Sequence, residues 1–311
     1  MTKLIKAAAI WLIIANPLLS QAEELRIGTA SLGGAFYPMG QTISNLVNKY
    51  GTQGSSMVPI VTGGSVQNPR LLGSGEVDIA ITNNNLAALA VKGVGPYKSG
   101  PIDMSAVAAL HPSVLHMIVM EGSDIKTIED LKGKRVAVGP AGGGTLGFLN
   151  FLLPLHDMSL DDMTPSFLSY SDGFSQLSDG AIDAAFALSG YPAGAVMQAA
   201  ASNDLAFINF SDGMLEKALK ANPVYSGVII PKNIYGTESA AVAIGVNNML
   251  VVSNSTSPEV VEDILHSIFD HLDEFSAQNS NAKQIIPEMS LDLSIPLHPG
   301  AERYFESRKA L

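Results

Sequence analysis

The chain says the same thing twice. Arg26-Ile27-Gly28-Thr29-Ala30-Ser31-Leu32-Gly33-Gly34 reads as a short apolar strand running into a loop of small residues, then a helix from about Phe36 to Tyr50. About 110 residues later, Arg135-Val136-Ala137-Val138-Gly139-Pro140-Ala141-Gly142-Gly143-Gly144-Thr145 repeats that layout and leads into Leu146–Leu153. The second halves match too, LLGSGEVDIAI (Leu71–Ile81) against QLSDGAIDAAF (Gln176–Phe186). Each reads as a helix stopped by a glycine, Gly75 or Gly180, suited to the left-handed position after a helix, then an aspartate and a buried strand. Two such units imply an α/β fold of two lobes with mainly parallel sheets. In such sheets ligands bind beyond the C-terminal ends of the strands, where helix N-termini gather, so two lobes facing each other across a cleft are expected.

The remaining segments supply the connections. Val107–Met120, interrupted by His111-Pro112, is expected to cross from the first lobe to the second, and Tyr225–Ile230 with Ala240–Val252 to carry the chain back. The expected division is 23–118 plus 232–311 for the first lobe and 119–231 for the second. One helix, Ser257–Gln278, opened by Ser257-Pro258-Glu259, is expected to pack on the first lobe. Residues 1–22 carry Lys3 and Lys6, the short apolar run AAAIWLIIA and small residues before Ala22, the pattern of a signal peptide cleaved near Ala22. The expected location is the periplasm. Without that segment the chain holds 16 basic and 29 acidic residues, a balance of −13. Such acidity, with no basic cluster, argues against nucleic acid as a partner. The absence of Cys removes thiolate nucleophiles, thiolate-ligated metals and disulfides together.

Three glycine-rich loops offer the clearest chemistry. TASLGGAFYPMG, VTGGSVQNPR and GPAGGGT each bring close backbone approach to the start of a helix, whose unpaired N–H groups and dipole favour an anion. Ser65 is placed to cap the helix after the second loop. Gly142–Gly147 also satisfies GxGxxG after a strand, which leaves a dinucleotide-binding oxidoreductase as an alternative, although no convincing catalytic acid or base accompanies it. No Lys-Ser/Thr pair follows any loop, so a Walker A site is excluded. The six histidines form no metal or triad pattern, and structural or surface roles are expected for them. Phe36 and Tyr37 follow Gly33-Gly34, and Phe186 ends a repeat strand near Gly190; these aromatics are either core or walls of a small cleft. Asn83-Asn84-Asn85 ends another strand with three amides suited to ligand hydrogen bonds. Arg70, the only basic side chain near these loops, is expected to pair with a ligand carboxylate or with Asp78.

These strings resemble the TAXI class of solute-binding proteins that serve TRAP transporters. The resemblance runs from Ile27 to Glu306 through GTASLGGAFYPMG, TGGSVQNPRLLGSGEVDIAI, DLKGKRVAVGPAGGGT, LSDGAIDAAF and IPLHPGAERYFE. It implies a bilobed, hinged protein of the type II periplasmic-binding-protein kind, a monomer without catalytic activity, metal or cofactor. Such a protein closes on a small carboxylate (glutamate-like, 2-oxoacid or dicarboxylate) and delivers it to ion-coupled membrane permease subunits, its only contact with the membrane. A ligand sensor docking a signalling partner is the alternative within this fold. Carried over by motif, Ser31, Gly34, Phe36 and Tyr37 belong to the first-lobe loop, Ser65 and Asn68 to the next, and Asn83 and Asn84 follow the first repeat strand. Gly143 and Thr145 belong to the second-lobe loop, and Phe186 and Gly190 to the second repeat strand. The chain departs from the family in having Phe36 for the first of two tyrosines, Asn85 for an acid and Gly143 where serine is common.

Overall fold

The computed structural model describes residues 24–54, 56–210 and 213–309; the signal segment expected over residues 1–22 lies outside them. The first copy of the repeat comprises β1 (Glu24–Gly28), α1 (Phe36–Tyr50), β2 (Ser56–Ile60), α2 (Asn68–Gly73), β3 (Ile79–Asn83) and α3 (Asn84–Lys92). A long strand, β4 (Met104–Met120), leads to the second. That copy is β5 (Arg135–Ala137), α4 (Gly144–Leu152), β6 (Thr164–Ser166), α5 (Tyr170–Ser178), β7 (Ala184–Ser189) and α6 (Gly194–Ala200). The chain continues with β8 (Leu205–Phe207), α7 (Met214–Ala221), β9 (Ser226–Ile230), β10 (Ala241–Ser253), α8 (Pro258–Phe269), α9 (Leu272–Gln278) and α10 (Pro299–Lys309).

The sheet runs β2-β1-β3-β10-β4-β7-β5-β6, with β8 on β4 and β9 on β10. Its two ends are parallel triplets, one from each copy of the repeat. The antiparallel pairs all involve β4 or β10, the two strands that cross the middle. The first part of β4 pairs with the end of β10, which also pairs with β3; its last part pairs with β7 and β8. Each long strand therefore serves both ends of the sheet, the arrangement expected of crossing segments. Apolar clusters cover both faces of both ends, so the inner strands β3, β4, β7 and β10 are buried like those of an α/β sheet, while β6 and β9 at the margins stay largely open to solvent.

The repeat is reproduced atom by atom. Arg26 donates from N and Nε to Asp78 Oδ2 at 2.8 and 3.0 Å, and from Nη2 to Asp78 Oδ1 at 3.0 Å and Gly75 O at 2.8 Å. Arg135 makes the same four bonds, to Asp183 Oδ2 at 2.8 and 3.1 Å, Asp183 Oδ1 at 2.5 Å and Gly180 O at 3.1 Å. Each clamp ties the helix-ending glycine turn to the start of the copy's first strand. Arg70 is therefore not the partner of Asp78. Its Nη2 donates to Pro96 O at 2.6 Å and its guanidinium lies 5.4 Å from the Tyr97 ring centre.

In β4, Pro112 stands opposite Asn247, and the register with β10 shifts between Asn247 and Met249. Proline donates no ladder bond, and a bulge is where sheets tolerate it. The bulged Asn248 is fully buried, donates from Nδ2 to His111 O at 2.7 Å and Ser113 Oγ at 2.9 Å, and accepts from Asn83 Nδ2 at 2.7 Å. The expected helix over Ser257–Gln278 is in fact two. Ser257 caps α8, its Oγ accepting from Val260 N, but His271 leaves helical geometry at φ −125° and ψ 35°. There its ring stacks on Tyr50 with centres 3.4 Å apart. This tertiary contact overrides helix propensity. Both pieces pack against α1, which turns Met39, Ile43, Leu46 and Val47 inward at helical spacing, and α10 packs on α8.

Candidate functional site

The loops that follow the strands of the two triplets meet face to face. Val66 N and Gln67 N both donate to Gly142 O at 3.1 Å, Ala35 N donates to Ser189 Oγ at 2.9 Å, and Ala195 N donates to Gly33 O at 2.9 Å. Gly33 has φ +94°, and a Cβ there would lie 2.7 Å from Ser171 N, so only glycine permits this approach. The loops enclose a cavity of about 10 Å³, room for roughly one water. Ser31, Gly34, Phe36, Ser65, Gly143 and Tyr170 border it. Five of those six are residues singled out in the sequence.

No charged side chain borders this cavity among the described residues. The Ser31 hydroxyl is buried and has no hydrogen-bond partner, which is costly for a polar group unless something else completes it. The α1 and α4 helices both begin at the cavity, so their first-turn N–H groups and dipoles supply positive potential without a cation. Behind the wall, the Tyr170 hydroxyl donates to Leu188 O at 3.1 Å and pairs with Thr145 Oγ1 at 2.7 Å, which accepts from Leu188 N at 2.9 Å. Burial raises the Tyr170 pKa, so the phenol stays neutral.

The other sequence candidates stand elsewhere. Tyr37 is half-buried on α1, outside the cavity lining. Asn68 is consumed by the scaffold: Nδ2 donates to Gly28 O, Thr29 O and Ile81 O, and Oδ1 accepts from Thr62 Oγ1 at 2.6 Å. Asn83 braces the bulge through Asn248, and Asn84 Oδ1 accepts from Ser294 N at 2.9 Å. Thr145 acts through Tyr170. Phe186 is core, 1% exposed within β7. Gly190 is a packing residue, since a Cβ would overlap Asn281 Oδ1 and the His111 ring.

Tyr170 is the residue the sequence reading missed, and the repeat contained the signal. Aligning Leu71 with Gln176 sets Ser65 opposite Tyr170, so the second copy's counterpart of a named loop residue completes the cavity. The GxGxxG reading fares poorly on geometry. The approach a pyrophosphate would need over Gly142 and Gly143 is filled by residues 63–67 of the opposing loop. No group of three or more His, Asp or Glu suited to a metal occurs among the described residues. No described helix is long and apolar enough to cross a membrane.

A family model described as NMT1-like matches residues 27–307, which takes in both copies of the repeat and the loops between them. The chain belongs to the NMT1-like family. Solved structures share the fold of this NMT1-like chain. One is a protein of Bordetella bronchiseptica RB50, 16% identical, with 92% of this chain and 98% of that chain covered and a TM-score of 0.57. Another is the alkanesulfonate-binding protein SsuA of Xanthomonas axonopodis pv. citri bound to MOPS, at 15% identity, 92% and 84% coverage and a TM-score of 0.50. A third is the ligand-binding component of an ABC-type import system from Staphylococcus aureus, at 12% identity, 93% coverage of both chains and a TM-score of 0.50. At these identities the likeness establishes the shared mixed α/β fold.

Proposed function

We propose that this chain is an extracytoplasmic solute-binding protein that closes two lobes on a small carboxylate and hands it to membrane permease subunits. The observation that carries this reading is the cavity itself. Loops from both copies of the repeat enclose it, two helix N-termini open onto it, and the buried Ser31 hydroxyl lacks a partner. Family membership and the fold shared with transport-system binding proteins support a solute-binding role over an enzymatic one. One of those proteins carries a sulfonate in its name, another anion that backbone dipoles can hold.

The finer reading follows the resemblance to TAXI proteins of TRAP transporters. The lobes are 23–118 plus 232–311 and 119–231, β4 and β10 act as the hinge, and the protein works as a monomer in the periplasm. Closure is a hinge motion, and a ligand shifts the balance by binding the closed lobes better than the open ones; it needs more room than one water, so the bonds from Val66 N and Gln67 N to Gly142 O give way to admit it. Mass spectrometry of protein kept folded through purification tests the reading. A carried ligand bearing a carboxylate is the expected result; a bound nucleotide or a cation would overturn it.

A further inference from the structure

A larger cleft, about 740 Å³, opens beside the cavity, between α3 and the Gly95-Pro96 turn on one side and α4 with Asn222–Tyr225 on the other. Gly143 borders both spaces, and the consecutive residues Ser65 and Val66 border one each, so a single layer of backbone divides them. That layer is held by the bonds from Val66 N and Gln67 N to Gly142 O, which join loops of opposite copies of the repeat. Separation of the copies would break these bonds and part the layer. The volume suits a small molecule. Leu86, Leu89, Leu146, Phe151, Val224 and Tyr225 form much of its wall. Lys98, exposed at the edge, is the one charged side chain that borders it among the described residues. Asn85 contributes Nδ2 to Tyr225 OH at 3.1 Å, and its Oδ1 is buried without a partner.

We propose that the ligand is an amphiphilic monocarboxylate that enters as this layer parts and joins the two spaces, with its carboxylate at Ser31 and Ser65 and its apolar body against the wall of the larger cleft. This rests on the binding-protein reading above and narrows its ligand class. A second carboxylate on the ligand would leave water for a wall of leucines and aromatics, a transfer that unpaired charge strongly resists. Asn85, a neutral amide, keeps that part of the wall uncharged. Each methylene placed against it gains the transfer free energy of one buried CH₂, which is about fourfold in affinity.

Isothermal titration of the purified protein with propanoate, hexanoate and hexanedioate tests this. Hexanoate is expected to bind about 50-fold tighter than propanoate, three methylenes' worth, and tighter than hexanedioate. Filling the cleft from either wall with Leu146→Trp or Ala88→Trp is expected to bring hexanoate and propanoate to equal affinity. Equal affinities in the unaltered protein, or tighter binding of hexanedioate, would overturn the inference while leaving a carboxylate-binding protein intact. No binding by any of the three would overturn the inference, and no binding by 2-oxoacids and acidic amino acids as well would overturn both.

Discussion

His111 stands at the centre of the sheet with both ring nitrogens buried and unbonded, edge-on to Phe36 at 6.1 Å. Burial pushes its pKa down to about 3, and that of His116, bonded to Tyr235 OH at 2.9 Å, down to about 4. Both rings are therefore neutral when folded and take up protons more readily when unfolded. Their contribution is fully present above the unfolded value near 6.5 and is lost as pH falls through the folded values. Denaturant unfolding at pH 7 and pH 5 is expected to show a loss of up to about 1.4 kcal/mol per pH unit per histidine, and His111→Phe should reduce that slope. Gly190→Ala is expected to destabilise by roughly 1–3 kcal/mol, the cost of overpacking, because its methyl would overlap Asn281 Oδ1 and His111. Thermal melting checks it. Neither residue's role was legible in the sequence: the contacts join β4, the end of β7 and residues 279–284, which share no local pattern.

At the scale of elements, the repeat told most of the story. Strand, glycine turn and aspartate recur because each copy needs the same Arg–Asp clamp, and a clamp built from fixed spacings leaves its mark in the letters. The helix break at His271 left none, since stacking on Tyr50 decides it. Nor did the bulge in β4 and β10 announce itself beyond Pro112. Asn248→Ala would strand the His111 carbonyl and the Asn83 amide in the core. It is expected to cost roughly 2–4 kcal/mol, the penalty for buried groups left unpaired, measured by urea unfolding. Asn68 carried a misleading signal for the same reason: a buried amide that ties three backbone carbonyls looks, in sequence, like one waiting for a ligand.

For the whole molecule, the proposed anionic ligand is reconciled with the chain's acidity by keeping side-chain charge away from the cavity. Arg26 and Arg135 are committed to Asp78 and Asp183, Arg70 is turned to Tyr97, and the cavity offers hydroxyls and helix N-termini instead. The close contact between copies depends on glycine, since a Cβ at Gly33 would lie 2.7 Å from Ser171 N. Gly33→Val is expected to hold the lobes apart, raising the radius of gyration measured by solution X-ray scattering in the presence of ligand. The central claim is that a small carboxylate is bound between the two copies by groups that carry no formal charge. Isothermal titration of the protein and of Ser31→Ala with a panel of short monocarboxylates, 2-oxoacids, dicarboxylates and acidic amino acids tests it most directly. The account expects saturable one-site binding of at least one member, weakened about tenfold in Ser31→Ala by loss of one hydrogen bond to charge. Absence of binding across the panel, or binding that Ser31→Ala leaves untouched, would contradict it.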